Sequence, residues 1–201
     1  MTKAIIGLNV LVFLAISVPG ELRRRLALFG PAVAEGQWDR LLTSGFVHYG
    51  LIHIGFNMLI LYRFGEMLEP ALGRVRMAAL YLTALLTGSL GAVLLQPQAF
   101  TAGASGAVFG LVAAAAVGLR QRGIDVWQSG VGPLLAINLV LTFVLPGISI
   151  GGHVGGMAGG ALVGSVMLQT PPDRRSVTQG LAVAALVALL SVAGAVWAAH
   201  R

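Results

Sequence analysis

Four side chains that can do chemistry lie in stretches of sequence that are otherwise almost wholly apolar. They are His53 and Asn57, spaced four residues apart, Ser105 within a Gly-Ala-Ser-Gly segment, and His153 after a glycine. A polar side chain inside a membrane span is costly and rare, so it is a functional-site hypothesis by default. A serine becomes a nucleophile when a neighbouring base accepts its proton, and histidine titrates in the range that suits this base. The pattern predicts hydrolysis within a lipid bilayer.

Ser105 is the candidate nucleophile, at the start of a predicted helix. The unpaired N–H groups and positive dipole end of a helix N-terminus favour a developing anion. The alternative is a serine that only caps the helix, which such positions also favour. A soluble-hydrolase Gly-x-Ser-x-Gly elbow is excluded because Ala107 occupies its last position.

His153 is the candidate general base, and its alternative role is a hydrogen bond between helices. All seven acidic residues lie in loops or near span ends. No carboxylate can therefore be assigned as a third member of a triad. The sequence predicts a serine–histidine dyad whose orientation comes from helix packing.

His53 and Asn57 lie one turn apart on the same face of a predicted helix. With the backbone N–H of Ser105 they offer three donors for an oxyanion hole. For Asn57, interhelical hydrogen bonding is the alternative. His48 is expected to be an interfacial structural residue, outside the mechanism. His48, His53 and His153 could ligate zinc, but no zinc signature is present, so neither metal nor cofactor is expected.

The composition indicates a membrane protein with one compact domain over residues 1–201. Of its 201 residues, 57% are hydrophobic and 10% charged, whereas a soluble domain carries about 25% charged residues. The absence of cysteine excludes disulfides and thiol nucleophiles. Apolar stretches long enough to span a bilayer predict an all-α bundle. The seven predicted spans are residues 4–19, 50–68, 77–95, 103–119, 132–147, 152–169 and 179–199.

Topology follows from the lysines and arginines on each side of the spans. With the N-terminus inside, eight are cytoplasmic: Lys3, Arg63, Arg74, Arg76, Arg120, Arg122, Arg174 and Arg175. Five lie outside: Arg23, Arg24, Arg25, Arg40 and Arg201. The count favours a cytoplasmic N-terminus and an external C-terminus. It also explains the net charge of +6 as a topology signal, so no nucleic-acid partner is expected.

Glycines recur every four residues in the sixth span. Gly156, Gly160 and Gly164 lie on the same side as His153, and small residues at this spacing let helices approach closely. The side of the fourth span that carries Ser105 and Phe109 is expected to pack against them. The other row of that span (Gly106, Gly110, Ala114 and Gly118) is expected to face a different neighbour.

The ordered set of motifs resembles the rhomboid family of intramembrane serine proteases over roughly residues 38–168. The matching residues are Arg40-Leu41-Leu42-Thr43-Ser44, His48, His53-x-x-x-Asn57, Phe64-Gly65-x-x-x-Glu69, Gly103-Ala104-Ser105-Gly106 and His153-x-x-Gly156-x-x-x-Gly160. Two departures are Asp39 between Trp38 and Arg40, and Phe109 where the family often has tyrosine.

The resemblance implies a six-helix core over about residues 4–169, followed by an extra C-terminal helix at about 179–199. It implies that Ser105 is the nucleophile, that His153 is the base, and that His53, Asn57 and the Ser105 backbone form the oxyanion hole. Arg40 and Glu69 would be structural anchors. The fifth span would be a lateral gate that admits a substrate's transmembrane helix from lipid. The chain would be a multi-pass integral membrane protein. In a bacterium it would lie in the plasma (inner) membrane.

Two other function classes are weighed against proteolysis. A non-catalytic relative that binds membrane helices would be expected to lose the serine or the histidine, and both are present. A small transporter or channel predicts duplicated halves or a polar stripe through several spans. Asn9, Asn138 and Thr142 are scattered instead and are interpreted as contacts between helices.

Overall fold

In a computed structural model, residues 1–16, 20–169 and 174–201 are described, and their regular elements are helices. The all-α prediction is thus confirmed. The helices are α1 (Thr2–Ala15), α2 (Gly20–Leu26), α3 (Gly30–Ala34), α4 (Arg40–Thr43), α5 (Leu51–Leu95), α6 (Ser105–Gln121), α7 (Val131–Val144), α8 (Ile150–Met167) and α9 (Arg174–Ala199), with a 3-10 turn at Ser44–Phe46. Residues 17–19, at the end of the predicted first span, fall outside the described residues.

Among the described residues, two helices are long and apolar enough to cross a membrane by length and composition. They are α5, with 45 residues, and the Val177–Ala199 part of α9. Three shorter apolar helices, α1, α6 and α7, contain 10–17 residues each. The predicted second and third spans both lie in α5.

The connection predicted between these two spans is reduced to a kink. Gly73 has φ +73° and ψ 169°, outside the helical region, and the helical segments on either side meet there directly. Glycine adopts a positive φ at little steric cost. Pro70 lies one turn earlier and lacks the N–H that a helix interior normally uses.

Glycine rows bring α8 against α6 at backbone distance. A Cβ on Gly156 would collide with the Gly106 carbonyl, and one on Gly160 with the Gly110 carbonyl. The expected close packing of these two helices is confirmed. The expectation that the Gly106–Gly110 row faces another neighbour is wrong, because this row is the surface of α6 that meets α8.

The other face of α8 meets α5. A Cβ on Gly151 would overlap the Gly91 backbone, and one on Gly155 would overlap the Thr87 carbonyl. Helix α8 therefore lies between α5 and α6 and contacts both through glycines. Its first turn carries His153, whose ring contacts α6 and α7.

The segment before α5 is held by Arg40, as expected of an anchor. Its Nη1 donates to the carbonyls of Arg24 (2.7 Å) and Ala27 (2.6 Å), and its Nε donates to Gln37 Oε1 (2.8 Å). Only 7% of Arg40 is exposed. These bonds fold the short helices α2–α4 back on one another beside the bundle.

Glu69 fastens α1 to α5 in a similar way. Its carboxylate accepts hydrogen bonds of 2.7 Å from both the backbone N–H and the hydroxyl of Thr2, and it also contacts the Met1 amino group. Gly65, one turn earlier in α5, lies directly against the Thr2 side chain. The expected anchoring function of Glu69 is consistent with these contacts.

Candidate active site

Ser105 and His153 meet at the N-terminal ends of α6 and α8. Ser105 is the first residue of α6, after the N-cap Ala104, and its Oγ lies 2.8 Å from His153 Nε2. Ser149 caps α8 by accepting the Gly152 N–H at 3.1 Å, and this fixes the turn that carries His153. Because Ala104 holds the capping position, the alternative of a capping Ser105 is not supported.

The imidazole of His153 is enclosed by α6. The ring of Phe109 stacks on it, with centroids 4.1 Å apart and planes 21° from parallel. His153 is only 8% exposed. Phe109, one of the two departures noted in the sequence, therefore packs against His153 through its phenyl ring.

The second ring nitrogen of His153 contacts a residue that sequence reasoning missed. Nδ1 lies 2.7 Å from Oγ1 of Thr142 on α7, which is 2% exposed. From the sequence, Thr142 is expected only to make contacts between helices. No sequence signal could have found this pair, because a non-helical loop between α7 and α8 removes any fixed register between them.

His53 faces the same space from α5. The Tyr49 N–H donates to its Nδ1 at 3.5 Å, so Nε2 is the ring nitrogen left to carry a proton in the neutral form. A Cβ at Gly103 would lie 2.7 Å from His53 Nε2 and 3.7 Å from Ser105 Oγ. Gly103, with φ +130°, thus leaves open the gap across which these two side chains face each other.

Asn57 lies one turn after His53 and lines the same cavity. Its Nδ2 donates to the His53 carbonyl at 2.8 Å, a bond within α5. One hydrogen on Nδ2 is left for another acceptor. The alternative considered from the sequence was a hydrogen bond from Asn57 to another helix, and the bond that Asn57 makes lies within α5 instead.

A cavity of about 640 Å³ connects these groups. Its lining is predominantly apolar and comes from α5, α6, α7, the start of α8 and the loop before α6. The polar side chains that line it include His53, Asn57, Ser105, Asn138, Thr142 and His153. An apolar cavity with a few converging polar groups is the usual form of an active or binding site.

His48 stays outside this group, as the sequence analysis expected. Its Nε2 accepts the Ala104 N–H at 3.4 Å, and its ring meets that of His53 edge-on with centroids 4.9 Å apart. Burial lowers the pKa of His48 to about 4, so the ring is neutral and its Nε2 can accept. His48 supports the backbone next to Ser105.

Within the described ranges, no group of three or more histidine, cysteine or acidic side chains is arranged to hold a metal ion. Nε2 of His153 contacts the Ser105 hydroxyl, and His53 lies across the gap left by Gly103.

The class of protein to which this chain belongs is shown by its similarity to known families. The Rhomboid domain family matches residues 35–170, which is more than half of the chain. The chain therefore belongs to the rhomboid family, whose members are intramembrane serine proteases.

Individual relatives agree with this assignment. The chain is 32% identical over 161 residues to the rhomboid protease GluP of Bacillus subtilis, covering 76% of this chain and 32% of GluP. It is 28% identical over 178 residues to YdcA of the same organism, covering 85% of this chain and 89% of YdcA. It is 30% identical over 147 residues to the rhomboid-type serine protease 2 of Emericella nidulans, covering 69% of this chain and 28% of that protein. It thus spans about a third of two of these relatives.

Proposed function

We propose that this chain hydrolyses a peptide bond in or next to the transmembrane helix of a membrane-protein substrate. The observation that carries the proposal is the 2.8 Å contact between Ser105 Oγ and His153 Nε2 at the wall of a 640 Å³ cavity. A nucleophile and a base within hydrogen-bond reach are the minimum that serine catalysis needs. Membership of the rhomboid family supports the same reaction.

In the first step, Ser105 Oγ attacks the scissile carbonyl while His153 Nε2 accepts the hydroxyl proton. The carbonyl oxygen becomes an oxyanion. Its proposed donors are the Ser105 backbone N–H, the free Nδ2 hydrogen of Asn57 and Nε2–H of His53. Since Ser105 is the first residue of α6, its N–H has no partner within the helix and is available to the oxyanion.

In the second step, His153 returns the proton to the leaving nitrogen and the carbon–nitrogen bond breaks. A water molecule then attacks the acyl-enzyme, His153 accepts a proton from it, and the ester bond to Ser105 Oγ breaks as the proton passes to the serine. No cofactor takes part. Water must reach the half-buried serine through the cavity, since the surrounding helices are apolar.

The proposed substrate is a transmembrane helix that enters from lipid. A helical backbone hides its carbonyls, so the substrate has to unwind locally, and helix-weakening residues near the cut would favour this. Helix α7 is the proposed gate. Its outward residues are exposed and apolar, as a lipid-facing helix requires: Ile137, Val140, Phe143 and Val144.

The architecture that goes with this function is a single multi-pass domain over residues 1–201. It consists of a six-helix core and α9 as an extra C-terminal helix. The N-terminus lies in the cytoplasm and the C-terminus outside. In a bacterium the membrane would be the plasma (inner) membrane, and lipid and transmembrane substrates would be the partners.

The test combines a fluorophosphonate probe with a cleavable transmembrane substrate, both applied to the purified full chain in lipid. Wild type should be labelled and should cut the substrate. Ser105→Ala and His153→Ala should lose both activities while keeping the wild-type Tm. A folded wild type that neither reacts nor cleaves would refute the proposal and favour the helix-binding alternative.

A further inference from the structure

The hydroxyl of Thr142 lies between two groups that could take its hydrogen. Oγ1 is 2.8 Å from the carbonyl oxygen of Asn138, one turn earlier in α7, and 2.7 Å from His153 Nδ1. A hydroxyl has one hydrogen and two lone pairs, whereas a carbonyl oxygen can only accept. The hydrogen therefore goes to Asn138, and the Thr142 oxygen faces His153 as an acceptor.

This direction of hydrogen bonding selects one tautomer of the histidine. An acceptor opposite Nδ1 requires that Nδ1 carry the ring proton of neutral His153. Nε2 is then the unprotonated nitrogen, and it is the one 2.8 Å from Ser105 Oγ. This is the tautomer that a general base must have, because the opposite one would present an N–H to the nucleophile.

We propose that Thr142 is a positioning residue for His153, whose hydroxyl oxygen holds Nδ1–H and keeps Nε2 free for Ser105. Thr142 thus takes the role of the carboxylate in a catalytic triad, a third member for which the sequence offers no candidate. This assignment rests on the proposed protease function. Thr142 touches neither the substrate nor the bond that breaks, and it acts through His153.

Because Thr142 belongs to α7, the tautomer of the base depends on where α7 lies. Among the described residues of α7, Val131 and Gly132 are buried at its start and Thr142 is buried near its end. A displacement of about 1 Å would stretch the 2.7 Å contact beyond normal hydrogen-bond range. Movement of α7 away from α8 would break the contact between Thr142 and His153. After a substrate enters, α7 must therefore return to its place against α8 before turnover.

The first test compares Thr142→Val with Thr142→Ser in the full chain, in lipid, with a transmembrane substrate. Valine keeps the shape and removes the hydroxyl, so kcat should fall about 10–100-fold, the range for partners that orient metal-bound histidines. KM should change less than about threefold, since Thr142 acts on the base. Serine restores the acceptor and should keep kcat within about threefold of wild type.

Thr83→Val is the matched control. It also removes a buried hydroxyl that bonds to a helix carbonyl, that of Ala184 at 3.2 Å, but on the side of α5 that meets α9. Its kcat should stay near that of wild type. Equal kcat for Thr142→Val and wild type, or an equal loss for Thr142→Ser and Thr142→Val, would overturn the role of the hydroxyl.

The second test reads the tautomer without any assay of activity. In ¹⁵N-histidine-labelled wild type, the signals of His153, assigned by their absence in His153→Ala, should show a protonated Nδ1 and an unprotonated Nε2. The opposite pattern would overturn the assignment. If wild type shows the expected tautomer but never cleaves or labels, the protease proposal fails and the Thr142 contact stands as structure only.

Discussion

At the scale of single residues, His53, Asn57 and His153 each have one atom held by a neighbour and another left free to face the substrate or Ser105 Oγ. Tyr49 holds Nδ1 of His53, the His53 carbonyl holds one hydrogen of Asn57, and Thr142 holds Nδ1 of His153. The free atoms need no reorientation when charge develops on the substrate. Such preorganised donors in an apolar site are usually the largest electrostatic contribution to catalysis.

Asn57→Ala should therefore lower kcat by about 10²–10³, the typical cost of losing one oxyanion donor. KM should change little, because the developing anion exists only in the transition state. Steady-state kinetics with a transmembrane substrate measures both constants. The fluorophosphonate probe should still label the variant, more slowly, because Ser105 and His153 are unchanged.

Asn138→Ala provides a comparison for this prediction. It removes an amide from the same cavity that makes the same kind of bond, from Nδ2 to the carbonyl of Leu134 one turn earlier at 2.8 Å. Asn138 lies on α7, however, and is not one of the proposed oxyanion donors. Its kcat should stay within about threefold of wild type. Similar losses in both variants would mean that general polarity of the cavity, and no specific donor, is what Asn57 supplies.

At the scale of helices, the distance between Ser105 and His153 depends on how closely α6 and α8 approach. In a bilayer this contact has no hydrophobic drive, so close van der Waals packing of small residues has to hold it. Gly156 and Gly160 meet the carbonyls of Gly106 and Gly110 directly. Any side chain at these positions must push the two helices apart.

Gly156→Leu should thus separate α6 from α8 and cost about 3 kcal/mol, at the upper end of overpacking penalties. A lower Tm in lipid and loss of substrate cleavage should appear together. Gly7→Leu is the control, because a Cβ at Gly7 on α1 meets nothing within 4 Å. An unchanged Tm for Gly156→Leu would contradict the close contact.

Sequence patterns predicted the helical class and the residues that converge, because both follow from composition and motif spacing. They did not predict correctly which face of α6 meets α8. Gly106 and Ser105 are adjacent, so they lie about 100° apart on the helix, and a broad α8 surface reaches both. The bond between Thr142 and His153 was equally out of reach, since it depends on how the loop between α7 and α8 closes.

At the scale of the whole molecule, three helices begin at the site. His53 is the third residue of α5, Ser105 the first of α6 and His153 the fourth of α8. The positive ends of three helix dipoles therefore point toward one region, which favours an oxyanion there. We therefore expect the site near one face of the membrane, and the lysine and arginine count predicts the outer face.

This orientation can be measured because the chain has no cysteine, so one introduced cysteine is a unique label. Gln98, in the loop before α6, and Gln128, in the loop after it, are both exposed. In intact cells, Gln98→Cys should react with a membrane-impermeant maleimide, and Gln128→Cys should react only after permeabilisation. The reverse pattern would invert the topology. The active site would then open to the cytoplasm, and the Arg23–Arg25 cluster would outweigh the eight-to-five count that favours a cytoplasmic N-terminus.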